Sequence, residues 1–179
     1  MKLQLLVGII AITYVSLGWG GEHVSPYAGD ERQEIKALSA EEARAYLAGE
    51  GMGFAKAAEL NHYPGPSHVL EMADKLELTD EQRKQTKAIF DTMKAKAKNL
   101  GKQLIEKERV LDARFATGEI SEAELRQLVA EIADIHGRLR TAHLQAHLAQ
   151  RQVLTADQVR HYDALRGYGS AIHKLHGRH

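Results

Sequence analysis

The chain has 179 residues, 24 Lys+Arg against 24 Asp+Glu, ten His and no Cys, which is enough for one domain with a modest core and short for two. Basic and acidic side chains are interspersed, which excludes the basic face that phosphate binding needs, so no nucleic-acid partner is expected. Without cysteine there are no disulfides, no thiolate metal sites and no cysteine nucleophile, and the fold must rest on packing alone.

The first element is apolar. Met1-Lys2 is followed by Leu3 to Val15, broken only by Gln4, Gly8 and Thr13, and then by Ser16-Leu17-Gly18. This order predicts a secretory signal peptide over 1–20, cut near Gly18 or Gly20, and so a periplasmic protein. The alternative is an uncleaved anchor of about 17 residues, at the short edge of what spans a bilayer. Residues 21–38 are polar, with Gly, Ser and Pro and no sustained period, and read as a flexible arm.

Four short strings then punctuate the chain: Ser39-Ala40-Glu41-Glu42, Thr79-Asp80-Glu81-Gln82, Ser121-Glu122-Ala123-Glu124 and Thr155-Ala156-Asp157-Gln158. Each fits the capping box, in which a hydroxyl accepts from the amide three residues on and the Glu or Gln side chain accepts from the cap's own amide. The first box opens a helix near Ala40 that weakens at Gly49, Gly51 and Gly53, each internal glycine costing about 1 kcal/mol against alanine. A second piece, Phe54 to Leu60, runs into the turn Asn61-His62-Tyr63-Pro64-Gly65-Pro66. Ser67 is the expected cap of a short helix through Leu76.

Two long helices carry the architecture. From Gln82 to about Ala116 the apolar positions Phe90, Met93, Ala97, Leu100, Leu104, Leu111 and Phe115 follow a three-four spacing, with Glu108 in the same phase. After Thr117-Gly118-Glu119-Ile120, the run Leu125, Leu128, Ile132, Ile135, Leu139, Ala142, Ala146 and Ala149 repeats it. The expected fold is therefore all-α: a long antiparallel helical hairpin with shorter flanking helices. The seam is too long to be covered by one short helix, which predicts a homodimer. A last helix spans Ala156 to Leu165, and residues 169–179 form a His-containing flexible tail with His173, His176 and His179.

The strings Leu78-Thr79-Asp80-Glu81-Gln82 and Leu154-Thr155-Ala156-Asp157-Gln158 are both LTxxQ, one before the hairpin and one after it. On these the chain resembles the LTxxQ superfamily of periplasmic stress proteins, which includes Spy/CpxP-like chaperones, zinc-associated ZraP-like proteins and, more distantly, CnrX-like heavy-metal sensors. The resemblance makes 39–168 an LTxxQ-type helical domain and implies a curved hairpin dimer with no active site. It implies action as an ATP-independent chaperone or as a metal-responsive accessory. Thr79, Gln82, Thr155 and Gln158 are its structural caps. The segment Gly51 to Pro66 lies outside the LTxxQ pattern.

The sharpest chemical constellation is His136, His143 and His147. At 100° per residue they fall within about 40° of one another, one stripe beside the apolar seam. Imidazoles at i and i+4 suit a divalent transition metal such as zinc, nickel or copper. A hairpin turning near Gly118 sets His143 opposite Met93 and Lys94, and His147 opposite Phe90 and Asp91, making Asp91 and Met93 the best partners. His62 and His68 flank the Pro-Gly-Pro turn and matter to this site only if the short helix folds back onto it. Met52, Met72 and Met93 read as core filling rather than a copper(I) site. Leu144 stands where a His-Glu-x-x-His hydrolase needs Glu, and no nucleophile–base pairing is evident, so no enzyme is expected. Three readings follow: a metal-binding accessory in metal or envelope-stress tolerance, a metal-independent holdase for unfolded periplasmic proteins, and a regulatory partner of a membrane sensor protein.

Overall fold

The computed structural model describes residues 24–168; the expected signal peptide and the tail histidines His173, His176 and His179 lie outside the described residues. The chain divides into two compact units, Met1–Glu31 and Arg32–His179. In the first, the described residues form short turns, with the Ala28 amide on the Ser25 carbonyl and the Gly29 amide on Glu31 Oε2. A single 3-10 turn spans Asp30–Arg32.

The second unit is built of six helices, α1 (Ala40–Ala48), α2 (Lys56–Glu59), α3 (Pro66–Glu71), α4 (Asp80–Thr117), α5 (Glu122–Val153) and α6 (Ala156–Arg166). All four capping boxes form: Ser39, Thr79, Ser121 and Thr155 each accept from the amide three residues on, and Glu42, Gln82, Glu124 and Gln158 reach back. Such a cap is worth about 1 kcal/mol. Gly118 closes α4 at φ 69°, a left-handed conformation that glycine takes without a Cβ penalty, and the chain turns back into α5. With 38 residues, α4 is about 57 Å long.

The two LTxxQ glutamines do more than cap. Gln82 Nε2 donates to Gln158 Oε1 at 2.8 Å and Gln158 Nε2 donates to Gln82 Oε1 at 3.0 Å. Their second amide hydrogens go to the Val153 and Leu76 carbonyls, at 3.0 and 3.1 Å. The starts of α4 and α6 are thereby joined through a fully paired amide couple. The motif leucines, Leu78 and Leu154, are buried together with Val69, Leu76, Val159 and Tyr162 in one of two core clusters. The repeated string thus has a mechanical reading: leucine into the core, threonine and glutamine onto the helix start, and glutamine onto its twin.

The other cluster fills the hairpin seam. Leu100 and Leu104 of α4 meet Ile135 and Leu139 of α5, and Tyr46 of α1 covers them. The approach of α1 is close: a Cβ at Gly101 would stand 2.2 Å from the Tyr46 carbonyl oxygen. Near the open end of the hairpin, Gln150 is fully buried and donates to Thr86 Oγ1 at 3.1 Å.

Three expectations need correction. The predicted arm is not loose throughout, since Ile35 is 5% exposed within the seam cluster and Lys36 pairs with Asp112 at 3.0 Å; a single apolar residue carries no period. Ser67 does not cap α3. Gly65 is the cap with Pro66 in the first turn, where proline's missing N–H costs nothing, and α3 ends at Glu71 rather than Leu76. The seam is not left for a second copy to cover over its whole length, because α1 packs on α4, α2 on α5 and α3 on both. Glu108, which shares the seam's phase, is half-buried beside His136, and burial raises its carboxyl pKa while that histidine opposes the shift.

Candidate functional site

Residues 49–65, between α1 and α3, form a strap laid against the long hairpin. Its sequence explains its path. Gly49 ends α1 at φ 64° and its Cβ position lies 3.1 Å from the Lys94 carbonyl oxygen, so the chain turns directly over α4. Met52, Gly53 and His62 take positive φ values of 40°, 76° and 66° and bend the strap between its short helical pieces. His62 is then fixed by Asp163, whose Oδ2 lies 2.7 Å from its Nδ1.

Between strap and hairpin lies a cavity of about 560 Å³. His143 and His147 of α5 line it, together with Met93 of α4, Met52 and Glu59 of the strap, and His68 of α3. The register read from the sequence is therefore met at Phe90, Met93 and Lys94, which line the same wall. The short helix does fold back onto the α5 histidines, which sequence could not show.

His143 is 4% exposed, and its Nε2 has no hydrogen-bond partner among the described residues. The Phe54 ring stacks on it at 5.7 Å between centroids and an interplanar angle of 22°. Burial, then the neighbouring His147 and Lys94, lower its pKa, so the ring is neutral at pH 7 and its lone pair is available. His147 is oriented differently. Its Nδ1 lies 2.7 Å from the Tyr63 carbonyl oxygen, an acceptor only, so that nitrogen carries the proton and Nε2 presents the lone pair. The Nε2 atom sits 3.1 Å from the Cβ position of Gly65, and a side chain there would press into it. An imidazole whose other nitrogen donates to a backbone carbonyl is the usual arrangement of a metal-ligating histidine.

Glu59 anchors the back wall. Its Oε1 accepts from the Tyr162 and Tyr168 hydroxyls and pairs with Arg166 Nε at 3.3 Å, while Oε2 is buried without a hydrogen-bond partner, 3.7 Å from His147 Nδ1. Burial raises the Tyr162 pKa, and the Glu59 contact adds to it, so this phenol stays protonated. Nothing in the sequence marks Glu59 as special, because its hydrogen-bond partners come from residues 103 or more positions away.

Not every expected residue reaches the cavity. His136 packs edge-on to Tyr46 at 5.9 Å and against Phe54 at 6.4 Å, so the Phe54 ring separates it from His143. Helical phase sets direction alone, and one inserted aromatic splits the stripe. Asp91 is exposed and paired with Lys87 at 2.6 Å, away from the histidines. His68 is at the rim, within 3.2 Å of Glu71. Met72 packs into the second core cluster, whereas Met52 and Met93 meet at the cavity. Among the described residues no three His, Asp or Glu side chains converge closely enough to hold one metal ion by themselves.

A family model described as the LTXXQ motif family protein matches residues 66–166. It takes in α3 to α6 and both LTxxQ strings, and leaves the strap outside. No curated protein and no solved structure matches the chain.

Proposed function

We propose, on the premise that this chain belongs to the LTXXQ motif family, that it is a non-enzymatic periplasmic accessory of envelope-stress and metal tolerance that takes up a transition-metal ion in the strap–hairpin cavity. The observation that carries this reading is the state of two imidazoles. His143 and His147 are one helical turn apart, face one cavity, and each offers an unencumbered Nε2, one buried without a partner and the other freed by the Tyr63 carbonyl. A buried polar nitrogen left unpaired costs about 1–3 kcal/mol, which a metal ion in the cavity would recover. The two phenols of the site are held protonated. Tyr162 and Tyr168 both donate to Glu59, and burial raises both phenol pKa values.

The test is physiological. A strain lacking the protein should lose tolerance to zinc, nickel or copper, regain it with the wild-type gene, and fail to regain it with His143→Ala/His147→Ala exported to the same level. Full rescue by that double variant overturns the reading.

A second reading is favoured by a separate surface. Between Asp91 and Glu106, α4 carries Lys94, Lys96, Lys98 and Lys102 and no carboxylate, and Phe115, Val129 and Leu148 of the hairpin are 49–57% exposed. A cationic stretch and exposed apolar side chains on one hairpin suit the holding of unfolded clients. This activity would persist in the double histidine variant, measured as suppressed aggregation of an unrelated unfolded protein.

A further inference from the structure

We propose that the cavity is a copper(I) site, with His143 Nε2, His147 Nε2 and the thioethers of Met93 and Met52 as its donors; the inference rests on the metal-binding reading above and names its ion.

The donor set is the first argument. Two imidazole nitrogens are available, and among the described residues no other His, Asp or Glu side chain completes a three-membered cluster with them. Zinc or nickel held by protein nitrogen and oxygen therefore lacks a third ligand. Two thioethers line the same cavity, Met93 from α4 and Met52 from the strap. Thioether sulfur is a soft donor that selects copper(I) over the harder divalent ions.

The backbone adds a second argument. Met52 holds φ 40° between Gly51 and Gly53, a conformation that a side chain carrying a Cβ rarely adopts. Glycine on either side would meet that demand freely, yet the strained position is the one bearing a long sulfur-containing chain on the cavity wall.

The test uses the full chain with His173→Ala, His176→Ala and His179→Ala, so that the tail contributes no ligand. Copper(I) is titrated anaerobically against a chromogenic copper(I) chelator, and zinc(II) against a zinc indicator. The expected result is one copper(I) per chain, bound more tightly than zinc. Met93→Leu and Met52→Leu, close in volume to the originals, should each weaken copper(I) by about tenfold or more and leave zinc within about twofold. X-ray absorption of the loaded wild type should show copper–sulfur scattering, which needs no variant to fold. Zinc or nickel bound more tightly than copper(I), or copper bound with no sulfur in its shell, overturns this inference and leaves the metal-accessory reading standing. Failure of every one of these ions to bind overturns both.

Discussion

Replacing Gly101 by alanine should destabilise the protein, whereas the same change at Gly137 should stabilise it. Both glycines lie in the interiors of long helices, where alanine is preferred by about 1 kcal/mol. At Gly137 a Cβ meets nothing within 4 Å, so the whole preference is realised. At Gly101 the Cβ would stand 2.2 Å from the Tyr46 carbonyl oxygen and 2.7 Å from its carbonyl carbon, backbone atoms that cannot rotate aside. Helix α1 must withdraw by about 1 Å, and a radial gap of that size forfeits up to half of each dispersion contact. Overpacking of this kind costs about 1–3 kcal/mol. The contact is backbone on backbone, so the upper half of that range applies, and after the helix-propensity gain the net loss is about 1–2 kcal/mol. The two variants should then differ by about 2–3 kcal/mol in urea denaturation, with Gly137→Ala raising Tm by roughly 2–4 °C. A Gly101→Ala protein as stable as Gly137→Ala would refute the docking of α1 on α4.

Gln82→Ala should cost about 2–3 kcal/mol, more than loss of a simple cap, because it also leaves one Gln158 amide hydrogen and the Val153 carbonyl unpaired; chemical denaturation of the single and double alanine variants should give a sub-additive pair with Gln158→Ala. Gly65→Ala should leave Tm within a few degrees, since the clash falls on the His147 ring rather than on backbone, yet weaken metal binding by about tenfold by displacing Nε2. Stability should fall as pH is lowered from about 6.5, because the unfolded His143 imidazole takes up a proton there while the buried folded one does so only at lower pH, so the unfolded state binds more protons. Urea midpoints of wild type and His143→Gln between pH 7.5 and 5 check this: the wild-type slope should be the steeper, and equal slopes would show that His143 is not the group responsible.

Much of this architecture is legible in local chemistry. A hydroxyl and a carboxylate or carboxamide three residues apart placed four helix starts, and the three-four spacing from Phe90 to Leu104 placed the seam, because both signals arise within one or two turns of a helix. The strap was not legible. Its glycines and the Pro64-Gly65-Pro66 turn announce irregular backbone, but its route over α4 and α5 is set by contacts such as Tyr63 with His147 and Glu59 with Tyr162, which no local period encodes. The candidate site shows the same division. Helical phase set His143, His147 and Met93 on the walls of one cavity, whereas the fates of His136 and Asp91 depended on Phe54 and Lys87, which phase ignores. Glu59 entered only with the three-dimensional structure, and Met52, read from the sequence as core filling, lines the cavity instead, because both belong to the strap.

The most direct test of the central claim is calorimetric titration of zinc(II), nickel(II) and, under anaerobic reducing conditions, copper(I) into the protein with its three tail histidines replaced by alanine. The account predicts that at least one of these ions, copper(I) foremost, binds one per chain at about micromolar affinity or tighter. That binding should vanish in His143→Ala/His147→Ala while the helical circular dichroism is retained. Heats no larger than those of dilution for every ion, or undiminished binding in the double variant, would contradict it.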